Sequence, residues 1–178
     1  MNELVQKRIK DSIETKQKLL SNAQLIQSIE RAAMLIIESI KEGGKIIFCG
    51  NGGSAADAQH LAAELVGKFY LDRPALPGIS LTTNTSILTA VANDYTYDRV
   101  FVRQVEAIAK TGDVLVGIST SGNSLNVVEA MKLAKNIGMK TIAFTGETGG
   151  KMKDYADVLI NVPSTDTPHI QELHIMVG

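Results

Sequence analysis

His60 and Glu64 stand four residues apart in a stretch rich in Ala, Leu and Val. On a helix that spacing projects both side chains from one face, one turn above the other, so an imidazole and a carboxylate become two potential ligands for one metal ion. The plainer alternative is an ordinary polar stripe on an amphipathic helix. Just ahead lies Gly50-Asn51-Gly52-Gly53-Ser54, whose glycines can take positive φ and let a ligand approach the backbone. Asn51 or Ser54 is expected to cap the helix that follows, and a helix N-terminus at that point attracts an anion. A plain turn explains the same glycines. A second polar loop, residues 119–124, offers hydroxyls from Ser119, Thr120, Ser121 and Ser124 with no Lys or Arg among them. Together with free helix-end amides they would make a neutral cradle for a phosphate. Asn93 and Asp94 can line a pocket or merely form a turn.

These groups have to be held by strand, loop, helix units. Residues 45–49 are a short apolar run bounded by glycines, suited to a strand buried on both faces of a parallel sheet, and residues 113–118 (DVLVGI) are another. Residues 78–82, 140–145 and 158–162 supply three more strands. Helices are expected over 86–92, over 98–109 and, after the loop ending at Ser124, around Val127, Val128, Met131 and Ala134, with the polar pair at 93–94 turning the chain between the first two. The alternation implies an α/β fold, a single three-layer domain in which a five-stranded parallel sheet is flanked by helices and joined by right-handed crossovers. Residues 43–178 form this core. Residues 1–42 carry two helical patterns with a break near Ser21-Asn22, more than one layer needs. The first pattern shows Leu4, Val5, Ile9 and Ile13 along one stripe, which either packs within the chain or covers another subunit. A last helix begins near Pro168, with Gln171, Glu172 and His174 close to its start. It reaches Gly178 without a finished amphipathic pattern, so the expectation is a helix shortened at this end.

Composition excludes several classes. At 178 residues and 44% hydrophobic content one core is enough. A net charge of −1 gives no nucleic-acid footprint and no attraction to an anionic membrane. No apolar leader opens the chain and no run approaches the roughly 18 apolar residues of a membrane span, so a cytoplasmic protein is expected. The one cysteine, Cys49, falls in a buried strand and reads as an inert hydrophobe. Gly50-x-Gly52-x-x-Ala55 formally fits a dinucleotide loop, but the second strand ends in Thr82-Thr83-Asn84 without the acidic residue that would bind a ribose. Residues 146–151 fail as a phosphate-binding loop of the G-x-x-x-x-G-K-[ST] kind, because the spacing is short and Met152 stands where Ser or Thr must hold magnesium. No nucleophile elbow is present.

Gly50 to Ser54 with His60 and Glu64, then Asn93-Asp94, GISTSGNS from Gly117 to Ser124, and Ile170-Gln171-Glu172 resemble in content and order the sugar isomerase (SIS) domain family, and within it the phosphoheptose isomerases. The similarity covers nearly the whole chain. It implies a cytoplasmic homotetramer that converts sedoheptulose 7-phosphate to D-glycero-D-manno-heptose 7-phosphate by proton transfer between C1 and C2, in heptose synthesis for lipopolysaccharide or capsule. It also implies active sites between subunits, each with one zinc. Position by position, it makes His60, Glu64 and Gln171 zinc ligands. It assigns Asn51, Gly52, Gly53, Glu64, Asn93, Asp94, Ser119, Thr120, Ser121, Ser124 and Gln171 to the sugar phosphate, and proton transfer to Glu64. The family's further histidine, eight residues beyond the glutamine, would follow Gly178. His174 does not replace it, and His169 stands where the family often has Arg.

The chemistry agrees with the resemblance. Interconverting a ketose and an aldose needs a base to carry a proton between neighbouring carbons and an electrophile on the carbonyl oxygen. His, carboxylate and amide oxygen suit zinc without excluding other cations. The alternative class is a non-catalytic SIS-domain binding protein, of the replication-initiator-associating or sugar-phosphate-sensing kind. Glu64 separates the two, since the initiator-associating relatives lack an acid at that position.

Overall fold

The computed structural model describes Met1–Gly178. Two helices, α1 (Asn2–Leu20) and α2 (Ala23–Lys41), precede the sheet. Asn22 separates them, its side chain capping α2 by accepting from the Leu25 N–H at 3.0 Å. The sheet then alternates with helices: β1 (Ile46–Gly50), α3 (Gly53–Val66), β2 (Gly78–Ser80), α4 (Thr85–Asp94), α5 (Val102–Ile108), β3 (Val114–Ile118), α6 (Leu125–Asn136), β4 (Lys140–Thr145), β5 (Val158–Asn161) and α7 (Thr167–Val177). All five strands are parallel, in the order β2-β1-β3-β4-β5. The expected α/β architecture is thus present.

Both faces of the sheet are covered, which is why β1 and β3 are apolar at every position and buried throughout. Ile46, Phe48, Val116, Ile142 and Phe144 point to the side closed by α2, α3 and α7. Ile47, Cys49, Leu115 and Ala143 point to the side closed by α5 and α6. At the start of the central pair, the buried carboxylate of Asp113 accepts from the backbone N–H groups of Lys45 (3.0 Å) and Lys110 (2.8 Å) and pairs with the Lys45 ammonium at 2.5 Å. That carboxylate stitches the leading ends of β1 and β3 together.

Three local expectations differ from the structure. Asn93 and Asp94 do not turn the chain. They are the last residues of α4, which runs on because Asn84 caps its start by accepting from the Ile87 N–H at 3.0 Å. The helix expected over 98–109 is split into a single 3-10 turn, Tyr97–Arg99, and α5. β2 is only three residues long, as suits an edge strand. In α1 the stripe of Leu4, Val5, Ile9 and Ile13 is exposed, so it does not pack within the chain.

Candidate active site

Adjacent parallel strands whose crossovers run to opposite sides leave a crevice at their carboxyl ends. Here those strands are β1 and β3, paired with Gly50 opposite Ile118. The next residues on each are Asn51 and Ser119. The glycine loop and the hydroxyl loop, far apart in sequence, therefore start side by side.

The expected caps on α3 do not form. Gly52, at φ +57°, is the N-cap, and its carbonyl accepts from the N–H groups of Ala55 (3.1 Å) and Ala56 (3.3 Å) with no side chain involved. Ser54 is buried, and Asn51 turns to the other loop instead. The Asn51 amide donates to Asn126 Oδ1 at 2.9 Å, while Asn126 Nδ2 donates back to Asn51 Oδ1 at 2.9 Å. The Tyr97 hydroxyl donates to the same Asn51 oxygen at 3.1 Å.

In the hydroxyl loop, Ser119 is buried with its Oγ 2.8 Å from that of Ser124 and 3.5 Å from that of Ser121. Ser121 accepts from the Asn123 N–H at 3.1 Å. Thr120 is half-buried and Ser121 exposed, so the hydroxyls form a polar ledge without a cation, as the sequence suggests. Residues 146–150 turn out to be the buttress of this ledge. A Cβ on Gly122, at φ +65°, would lie 2.3 Å from the Gly149 carbonyl oxygen, and one on Gly150 would lie 2.5 Å from Gly122. Two backbones touch there, which only glycine allows.

Along α3, positions 53, 57, 60 and 64 form one stripe. His60 Nε2 and Glu64 Oε1 are 3.4 Å apart, with 59% and 40% of their side chains exposed. As a donor pair, exposed and one turn apart, they fit two positions of a metal site. No group of three His, Cys, Asp or Glu occurs, so further donors must come from other residue types or another chain. Gln171, on α7, packs its amide against Gly53 at the start of the stripe. No hydrogen bond joins it to His60 or Glu64. Its neighbour Glu172 is fixed by an ion pair with Lys16 and by the Ser12 hydroxyl, both on α1, which in that order hold its carboxyl below the usual range. Arg73 satisfies the carboxyl end of α3, donating to the carbonyls of Glu64 (3.0 Å) and Leu65 (2.9 Å). A cleft of about 470 Å³ opens below the pair, but its lining is hydrophobic except for His60, Glu64 and Arg73, and it suits no sugar phosphate.

Asn93 donates to Asp94 at 2.9 Å, both exposed and with no side-chain hydrogen bond to either loop. Three residues near the site went unsuspected. Asn126 and Tyr97 are found only through long-range contacts. Asp57, on the stripe, has a buried Oδ2 without a partner, and burial raises its pKa against the smaller opposing pull of His60. A carboxylate at i−3 from His60 was the available signal. Two other groups are structural. Burial pushes the Cys49 thiol up to about 12, so it is no nucleophile. His174 is enclosed, with one ring nitrogen 3.1 Å from the Thr145 carbonyl.

Residues 11–146 match the family model described as SIS domain. The phosphoheptose isomerase of Clostridium acetobutylicum is 55% identical over 178 residues, all of this chain and 91% of that protein. Among solved structures, the phosphoheptose isomerase of Neisseria gonorrhoeae superposes with a TM-score of 0.93 at 48% identity, covering 99% of this chain and 93% of that one. The enzyme from Francisella tularensis gives 0.94 at 35% identity, covering 98% and 92%. With the same fold and 55% of the residues shared with one such enzyme over the whole of this chain, the chain belongs to the SIS domain family and, within it, to the phosphoheptose isomerases.

Proposed function

We propose that this isomerase converts sedoheptulose 7-phosphate to D-glycero-D-manno-heptose 7-phosphate, for heptose units of lipopolysaccharide or capsule, in the cytoplasm. The relatives' shared name supports the substrate class, and no helix is long and apolar enough to cross a membrane. The observation that carries the chemistry is the exposed His60–Glu64 pair on the helix that leaves the glycine loop.

The hydroxyls of Ser119, Thr120, Ser121 and Ser124 accept and donate at the phosphate, and Asn51, Gly52 and Gly53 hold the sugar near it. Glu64 removes a proton from C1 of the ketose as O2 gains a proton, giving the enediol, and returns it to C2 as the O1 hydroxyl gives up its proton and the carbonyl re-forms at C1. Asn93 and Asp94, exposed at the end of α4, contact the sugar only after a shift or from a neighbouring copy. His60, Glu64 and the amide oxygen of Gln171 would hold one zinc, which would supply an electrophile for the carbonyl oxygen.

Within one chain no third His, Cys, Asp or Glu joins the His60–Glu64 pair, so a site completed by a second copy would supply donors that one chain lacks. A homotetramer with sites between subunits meets that need. The bare stripe on α1 and the exposed Phe69, Tyr70 and Leu71 beside Glu64 give it apolar surface to bury.

Glu64→Gln is nearly isosteric but cannot accept a proton. In the fully assembled enzyme it should lower kcat about 10²- to 10⁴-fold with sedoheptulose 7-phosphate. Metal content measured beside kcat separates base from ligand. A variant retaining its metal and more than about a tenth of its turnover would remove Glu64 from the proton path.

A further inference from the structure

The amide pair between the two loops has a fixed polarity. Asn126 Oδ1 accepts from the backbone N–H of Val127 at 3.0 Å, and a backbone N–H can only donate. That one bond sets the Asn126 amide, oxygen towards Val127, so its NH₂ must donate to Asn51 Oδ1. Asn51 in turn must donate one N–H to Asn126 Oδ1. The Asn51 oxygen, already taken by Asn126, also receives the Tyr97 hydroxyl. Both of its lone pairs are used. One N–H of Asn51 is left, on a half-exposed residue beside the hydroxyl ledge, while Asn126 is buried at 2% exposure.

We infer that Asn126 is a positioning residue of this site. Through the pair it orients Asn51 so that a single N–H is offered, and the sugar-phosphate group met there is a hydrogen-bond acceptor, a hydroxyl lone pair or a phosphate oxygen. Tyr97 closes the relay as its terminal donor. Asn126 touches no substrate atom and works only through Asn51. The same pair ties the loop after β1 to the start of α6, so the sugar and phosphate halves of the site keep one spacing. This inference rests on the isomerase reading, and wild-type turnover of sedoheptulose 7-phosphate checks that reading separately.

The test uses the assembled enzyme and that substrate. Asn126→Ala should raise KM roughly 3- to 10-fold, the range of one neutral hydrogen bond, with kcat within about threefold. Asn51→Ala should do the same, and the double variant should be no worse than Asn51→Ala alone, because the two residues act through one contact. Asn51→Asp should raise KM more than Asn51→Ala does, since it offers a carboxylate oxygen to an acceptor. Effects of Asn126→Ala and Asn51→Ala that multiply, or a folded Asn126→Ala with unchanged KM, would show that Asn126 is merely structural. If Asn126→Ala fails to fold, the Asn51 pair still decides. A KM for Asn51→Asp equal to or below that of Asn51→Ala overturns the assigned polarity.

Discussion

Single side chains on this scaffold divide into those kept reachable and those sealed away, and burial rather than residue type makes the division. His60 and His174 are the same amino acid four or fewer residues from a helix-borne carboxylate or amide. His60 is exposed beside Glu64, whereas His174 is 1% exposed among Phe144 and the core. Desolvation lowers the His174 pKa to about 4, with the bond to the Thr145 carbonyl opposing it, and leaves its other ring nitrogen without a partner. The unfolded chain binds a proton at His174 near pH 6.5 and the folded one does not, so this group's contribution is present above pH 6.5 and lost as pH falls towards 4. The loss amounts to about 3 kcal/mol across that window. Urea midpoints measured at pH 7 and pH 4.5 should therefore separate widely, and His174→Gln, which can still donate to Thr145, should narrow the gap. An equal gap in the variant would assign the acid sensitivity elsewhere.

The elements that carry the site were the readable part of the sequence. Buried strands such as residues 113–118 announce themselves as apolar runs, and β3 follows that run within a residue. The hydroxyl ledge was legible too, because polar residues after a buried strand have nowhere to go but the sheet's carboxyl edge. What local sequence cannot carry is which distant group a side chain will choose. Asn51 looks like a helix cap, but β1 and β3 lie side by side, so Asn126 competes for its amide and wins. Asn93 and Asp94 look like a turn, but Asn84 starts a helix that continues through them. The glycines at 149 and 150 read as a failed nucleotide loop, while their use is to let one loop rest on another. Gly122→Ala tests that buttress. The positive φ alone costs about 1–2 kcal/mol, and the clash with the Gly149 carbonyl adds to it. Chemical denaturation should show at least that loss, and KM for the sugar phosphate should rise as the ledge shifts. A variant of native stability and KM would mean the two loops separate freely.

At the scale of the molecule, the exposed apolar stripe on α1 is the feature a lone chain leaves unexplained. Leu4, Val5, Ile9 and Ile13 are each half or more exposed, on a helix whose other face reaches α7 through Ser12 and Lys16. Covering that stripe with a second copy would join assembly to the placement of Gln171. Ile9→Asp puts an unpaired carboxylate into the covered surface, at a cost of several kcal/mol. Light scattering should find smaller particles than for the wild type, circular dichroism an unchanged fold, and assays a large loss of turnover. An unaltered assembly with full activity would show that the stripe faces solvent in the working enzyme.

The pairing of Gly50 with Ile118 also orders events in time. Parallel strands cannot meet through a short turn, so this contact joins segments far apart in the chain. While the protein is being made, the glycine loop leaves the ribosome well before the strand that carries its counterpart has been translated. On the proposed reading, a growing chain thus carries half a site until β3 has been made. Under the proposed function, a sugar phosphate finds both halves of its site only when β3 has docked on β1.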